Sequence, residues 1–324
     1  MAPKLRYDMV NMVLAEPNPY LRRAVRQALS TQGLTNVVEC SDQEAVEQEI
    51  LVGRLDVLIS DVELKGGDFC DMVHRLRHHR LGPNPFLVVL ATTDAPSVEL
   101  VRRVINSGVD DLLIKPIGVD KVMERIGLLA KGRKPFVVTH DYIGPDRRKA
   151  DRDDDRTPTD RIDVPNTLFS KVKGEGDAAA LQALIDQAAA GLNQAKMQRY
   201  SVQVGYLVDR IVNSYAQGKW SDILWEDCDR LLYVGEDLSR RLRGTGYAHV
   251  GELALTLTNL VSRFKGAGVK PAPVDIELLS KLSLAIGRAF SPEQDTAEVA
   301  AKISATVSDF TRTHGTPTGK PPAS

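Results

Sequence analysis

Leu55-Asp56-Val57-Leu58-Ile59-Ser60-Asp61 and Asp111-Leu112-Leu113-Ile114-Lys115-Pro116 are two short aliphatic runs, one closing on a carboxylate and the other on a lysine. Apolar runs of this length suit strands buried on both faces of a parallel sheet. In open α/β sheets, ligands bind in the crevice beyond the carboxyl ends of the strands. Asp61 and Lys115 at two such ends therefore predict a charged site.

Outward from these runs the same pattern repeats. Further strands are expected over Met9 to Ala15, Asn36 to Cys40 and Phe86 to Thr92. Leu21, Val25, Ala28 and Leu29 recur at helical spacing after Pro19, a good first-turn residue. Ser41-Asp42-Gln43-Glu44 reads as a capping box in which Ser41 and Glu44 satisfy orphan backbone donors. Pro83 and Pro85 stop the third helix, and Gly108 ends a fourth helix over Ser97 to Ser107 as an αL cap. Val119 to Ala130 supplies a fifth. The order is that of an α/β doubly wound (βα)5 unit.

With these pieces in place, the first 130 or so residues resemble the receiver domain of bacterial two-component response regulators. The resemblance rests on Val13-Leu14-Ala15-Glu16 after strand one, Asp61 after strand three, Thr92-Thr93 after strand four, and Ser107 to Pro116 around strand five. It implies a flavodoxin-like, CheY-like fold over residues 8–132 and a phosphoryl group accepted by Asp61. The donor it implies is a phosphohistidine of a sensor histidine kinase or phosphotransfer protein. It also implies Mg²⁺ on Glu16, Asp61 and the backbone carbonyl of Glu63, with Lys115 pairing a phosphoryl oxygen. Thr93, by spacing to Lys115, or Thr92 would bond the phosphoryl group, and Lys115-Pro116 is a candidate cis peptide. No enzymatic activity beyond the domain's own phosphorylation is expected.

Two positions depart from that pattern. Receivers commonly carry a second acid where this chain has Pro17, and often an aromatic where it has Leu112. A phosphorylation-independent pseudo-receiver scaffold is therefore the alternative reading.

The rest of the chain is less specific. At 324 residues it suggests two domains, and a net charge of -1 gives no reason to expect nucleic-acid or anionic-membrane binding. No apolar stretch reaches the roughly 18 residues of a membrane helix, and Met1 to Asp8 lacks a signal-peptide core, so a cytoplasmic location is expected. Cys40, Cys70 and Cys228 read as reduced packing residues. His74 and His78 share a helix face, but the flanking arginines favour a solvated basic face over a metal site.

Residues 133–175 read as a linker, partly extended and charged. Within it, Tyr142-Ile143-Gly144-Pro145 is a candidate docking segment. Arg147-Arg148 and Arg152 fit the Arg-Arg-x-x-x-Arg pattern of PilZ domains, without the later strand that such a domain needs. Residues 176–314 are helical in pattern, an all-α bundle of five or six helices. Its stripes are Leu224, Cys228, Leu231, Gly235, Leu238 and Leu242, then Val250 to Phe264, Ile276 to Phe290, and Val299 to Phe310. The bundle suggests docking of an unassigned protein partner or a homodimer, and His249 offers a phosphotransfer alternative. Residues 315–324 read as a disordered tail.

Overall fold

A computed structural model describes residues 6–147, 160–175, 177–218, 221–267 and 271–290. The chain divides into two compact units, Met1–Ala195 and Lys196–Ser324.

In the first unit, β1 (Met12–Ala15), β2 (Val37–Cys40), β3 (Val57–Asp61), β4 (Val88–Thr93) and β5 (Asp111–Ile114) form a parallel sheet in the order β2-β1-β3-β4-β5. Every residue of β1, β3 and β4 is buried, as their aliphatic runs predict for central strands. Alternation along each strand feeds two cores. Val13, Leu58 and Val89 face one layer, while Met12, Leu14, Ile59 and Leu90 face the other.

The connecting helices are α1 (Pro19–Thr31), α2 (Gln43–Val52), α3 (Phe69–Arg77), α4 (Val98–Ser107) and α5 (Val119–Lys131). Pro19 stands in the first turn of α1, and Asn18 caps it by accepting from the Tyr20 and Leu21 N–H groups. At α2 the cap is Asp42, which accepts from the Ala45 N–H; Ser41 instead donates to the Asp42 carboxylate. The expected capping box of Ser41 and Glu44 is not formed: the charged acceptor Asp42 takes the helix N-terminus one residue later, and Ala45 at its third position has no polar side chain to reciprocate.

Gly108 adopts the expected αL conformation after α4, with φ +99°. A Cβ there would lie 2.6 Å from the Ile143 carbonyl oxygen. Both the strained φ and the backbone clash oppose a side chain, so Gly108→Ala is expected to cost about 2 kcal/mol or more in a guanidinium titration.

Residues beyond α5 are more ordered than a solvated linker. β6 (Phe136–Val138), β7 (Ile143–Pro145) and β8 (Asp160–Ile162) make a small antiparallel sheet in the order β7-β6-β8. The apolar side chains explain this. Phe136, Val138 and Ile143 form a core with Phe86 and with Ile185, Ala189, Leu192 and Ala195 of α7 (Ala178–Ala216). α6 (Thr167–Lys173) sends Leu168 and Val172 into the Met12 and Leu14 core, and Lys171 pairs with Asp56 at 3.0 Å. Tyr142 to Pro145 does dock on the receiver: the Gly144 Cβ position is 2.8 Å from the Gly108 Cα.

The second unit contains the remainder of α7, then α8 (Asp222–Leu242), α9 (Ala248–Ala267) and α10 (Pro273–Ala289). α7 is one helix of 39 residues, passing Gly191 without a break. The Leu224 to Leu242 stripe is buried in full. Gly235 admits α9, since a Cβ would meet the Thr258 methyl at 2.4 Å. The Val250 to Phe264 stripe and Leu279, Leu282 and Ile286 complete this core. The Val299 to Phe310 stripe and residues 315–324 lie outside the described residues. Among the described residues, no helix is long and apolar enough to cross a membrane.

Candidate functional site

Parallel strands bring their C-terminal ends to one edge, so Glu16 after β1, Asp61 at the end of β3, Thr93 at the end of β4 and Lys115 after β5 become neighbours. Lys115 Nζ donates to Glu16 Oε2 at 2.6 Å and also to Asp61 Oδ2. The second oxygen of each carboxylate takes a backbone N–H. Glu16 Oε1 accepts from Asn18 at 2.9 Å, and Asp61 Oδ1 accepts from Glu63 at 2.7 Å. Both acids are buried, and the Lys115 side chain is 13% exposed, which leaves this cluster a narrow opening to solvent. The Lys115–Pro116 bond is cis, as expected.

Burial alone would lower the Lys115 pKa, but the hydrogen bonds it donates to Asp61 and Glu16 overcome this and raise the ammonium above its ordinary 10.5. Lys115 therefore stays charged through neutral pH. Its stabilising contribution is present below the ordinary lysine pKa and is lost as pH rises through the raised folded value.

Thr92 and Thr93 are both buried. Thr93 Oγ1 accepts from the Ala95 N–H at 3.3 Å, and its carbonyl accepts from the Lys115 N–H at 2.7 Å. Pro17 is exposed and offers no acid. Beside it, the Arg22 guanidinium donates to the Glu16 carbonyl, a contact that sequence reading did not suggest.

The donor set bears on a metal. Among the described residues, no group of three or more His, Cys, Asp or Glu side chains could hold an ion. Two carboxylates, Glu16 and Asp61, converge on one ammonium instead. Mg²⁺ commonly takes only one or two protein carboxylates and retains several waters, so the pair fits that ion's chemistry.

The other candidates belong to other elements. His74 and His78 stack at 3.9 Å, and the solvated basic face expected there is formed only in part: His79 and Arg80 are exposed, but two of its members turn inward. Arg77 is 0% exposed and His78 is 1% exposed. Arg77 points inward because the Gly108, Pro85 and Leu87 carbonyls and Asp110 occupy its donors. Burial pushes its guanidinium down to about 10, with Asp110 pulling the other way. Arg147 donates to the Val109 carbonyl, while Arg148 and Arg152 lie outside the described residues. His249 is half-buried in the first turn of α9.

Burial pushes Cys40, Cys70 and Cys228 each up to about 11. Thiolate is the reactive form, so maleimide is expected to label the folded chain at neutral pH on the order of a hundredfold more slowly than the chain in denaturant.

Residues 12–127 match the response regulator receiver domain family, and this part of the chain is a receiver domain of the two-component type. The nitrate/nitrite response regulator protein NarP of Escherichia coli is 32% identical over 128 residues, which are 39% of this chain and 57% of that protein. The probable transcriptional regulatory protein TcrX of Mycobacterium tuberculosis is 30% identical over 132 residues, 41% of this chain and 53% of its own length. A cyclic di-GMP phosphodiesterase of Thermotoga maritima is 26% identical over 141 residues, 43% of this chain and 36% of that enzyme. The chain thus spans roughly a third to just over half of these relatives. Among solved structures, the chemotaxis response regulator CheY4 of Vibrio cholerae aligns at 22% identity and a TM-score of 0.33, covering 37% of this chain and 98% of its own.

Proposed function

We propose that the chain is a response regulator whose Asp61 accepts a phosphoryl group from a phosphohistidine on a sensor histidine kinase or phosphotransfer protein. The observation that carries this reading is the convergence of Asp61, Glu16 and Lys115 in one nearly buried cluster at the strand ends. An Asp61 carboxylate oxygen attacks phosphorus as the donor's P–N bond breaks. Negative charge gathers on the phosphoryl oxygens, and a cation aimed there supplies most of the stabilisation. Lys115 is that cation within the chain, held by the same carboxylates until a phosphoryl oxygen takes its place. The Thr93 hydroxyl, or that of Thr92, bonds a further phosphoryl oxygen.

Glu16, Asp61 and the Glu63 carbonyl would hold Mg²⁺, which when bound offsets the charge of the incoming group. The helical unit then passes the state to a protein partner, with a homodimer as one form of that contact. Domain limits of 8–132, 133–175 and 176–314 are proposed for this division of labour.

The test is incubation with acetyl phosphate and Mg²⁺ followed by intact mass. Wild type is expected to gain one phosphoryl group, and Asp61→Asn none. Wild type that stays unmodified would leave the receiver fold as a phosphorylation-independent scaffold.

A further inference from the structure

β5 is the edge strand next to β4, so its main-chain ladder is on one side only. Lys115 follows its C-terminal end and Asp110 precedes its N-terminal end. The two are about 16 Å apart at the usual rise of an extended chain. An extended backbone is already near its greatest span and cannot stretch, so the hold on Asp110 limits how far along the sheet Lys115 reaches.

That hold comes partly from β4, where the Asp110 N–H donates to the Val89 carbonyl at 2.8 Å, and partly from outside the sheet. Asp110 Oδ2 accepts from Arg77 at 2.9 Å and from the Val89 N–H at 2.9 Å, while Oδ1 accepts from Arg133 at 2.7 Å. The Arg133 side chain is 2% exposed, and its guanidinium also donates to the Phe86 carbonyl. Phe136 of β6 stacks against both cations, 5.2 Å from Arg77 and 5.5 Å from Arg133. Arg147, just past β7, donates to the Val109 carbonyl beside Asp110. Arg133 and Arg147 both lie beyond residue 127, where the match to the receiver family ends.

We infer that Arg133 is a positioning residue for Lys115, and that the small sheet after α5 braces the phosphoacceptor site from the opposite end of β5. The brace rests on the reading of Asp61 as the acceptor. It makes residues 133–147 a control point for phosphorylation: a partner that pulls β6 and β7 away would slacken β5 and let Lys115 leave the carboxylates. The reverse also holds, since a Lys115 drawn to a phosphoryl oxygen loads β5 and, through Asp110, the appended sheet.

Arg133→Gln and Arg133→Lys in the full chain test this by amide exchange and by modification with acetyl phosphate and Mg²⁺. Arg133→Gln is expected to speed exchange of the Leu112 to Lys115 amides by roughly tenfold, as loss of a charge-assisted bond shifts a local opening. Exchange in β1 should not change, and modification of Asp61 should slow by about fivefold, a modest misplacement of the cation. Arg133→Lys keeps the charge without the fork and should fall between. Unchanged exchange in residues 112–115, or equal acceleration across the whole sheet, would overturn the inference. If Arg133→Gln does not fold, Arg147→Gln carries the test through the same amides, with an expected effect of about threefold. Failure of wild type to be modified would remove the Asp61 reading alone, because the exchange arm still decides the brace.

Discussion

Lys115→Ala is expected to slow acetyl phosphate modification of Asp61 by about 10²- to 10³-fold, the range for losing one pre-aimed charge from a transition state. The substitution leaves Glu16 and Asp61 facing one another without the ammonium that both now bond. Two effects then add. The phosphoryl oxygens lose their cation, and the anionic donor must approach a buried pair of like charges. Lys115→Arg keeps the charge, but the planar fork cannot occupy the place of a compact ammonium between two carboxylates, so it should recover only part of the rate. Time courses of intact mass at fixed acetyl phosphate measure all three chains. A Lys115→Ala rate within about threefold of wild type would show that the cluster is not organised for phosphoryl transfer.

The second large effect belongs to the helical unit. Asp237 is 1% exposed and accepts from Tyr200 Oη at 2.9 Å, Arg241 Nε at 2.8 Å and Arg240 Nη2 at 2.7 Å. Lys196 adds its ammonium over the Tyr200 ring at 4.6 Å. Burial, with the Asp237 carboxylate beside it, raises the Tyr200 phenol well above its ordinary pKa, so it remains a donor at any physiological pH. Asp237→Ala removes the acceptor shared by these groups while Arg241 stays buried. The expected cost is about 3–5 kcal/mol, the range for breaking a buried ion pair. A lower denaturant midpoint for hydrogen exchange in α8, with the receiver core unchanged, checks it. A change below about 1 kcal/mol would mean that the cluster is not what joins α7 to α8.

The receiver was legible because its evidence is local and repeated. β1, β3 and β4 are aliphatic runs whose length and punctuation identify buried parallel strands, and Gly108 marks a helix end by its own conformational demand. Asp61 and Lys115 could be placed together because parallel strands leave their C-terminal ends on one edge, and Glu16 joined them through the resemblance to receivers. The site's finer contacts were not legible. Asn18 and Arg22 act through a backbone N–H and a bond to a carbonyl, neither of which has a sequence signature.

The appended sheet was hidden for a different reason. β6, β7 and β8 have three residues each, too few to display a period of two. Charged neighbours around them gave the composition of a solvated linker. Arg77 is the sharpest case. It lies in a run of arginines and histidines that looks like a wet helix face, yet three carbonyls and Asp110 from later segments draw it inside. No spacing within α3 could reveal partners that only the folded chain supplies. In the helical unit the Leu224 to Leu242 stripe was readable, whereas Asp237 within it had no visible partner until Tyr200 of α7 came alongside.

The most direct test of the central claim is to locate the phosphoryl group. Wild-type chain treated with acetyl phosphate and Mg²⁺, then reduced with borohydride and digested, should carry homoserine at position 61, the product of reducing an aspartyl phosphate. An unreduced Asp61 in fully treated protein, or a phosphoryl group found on His249 instead, would contradict it.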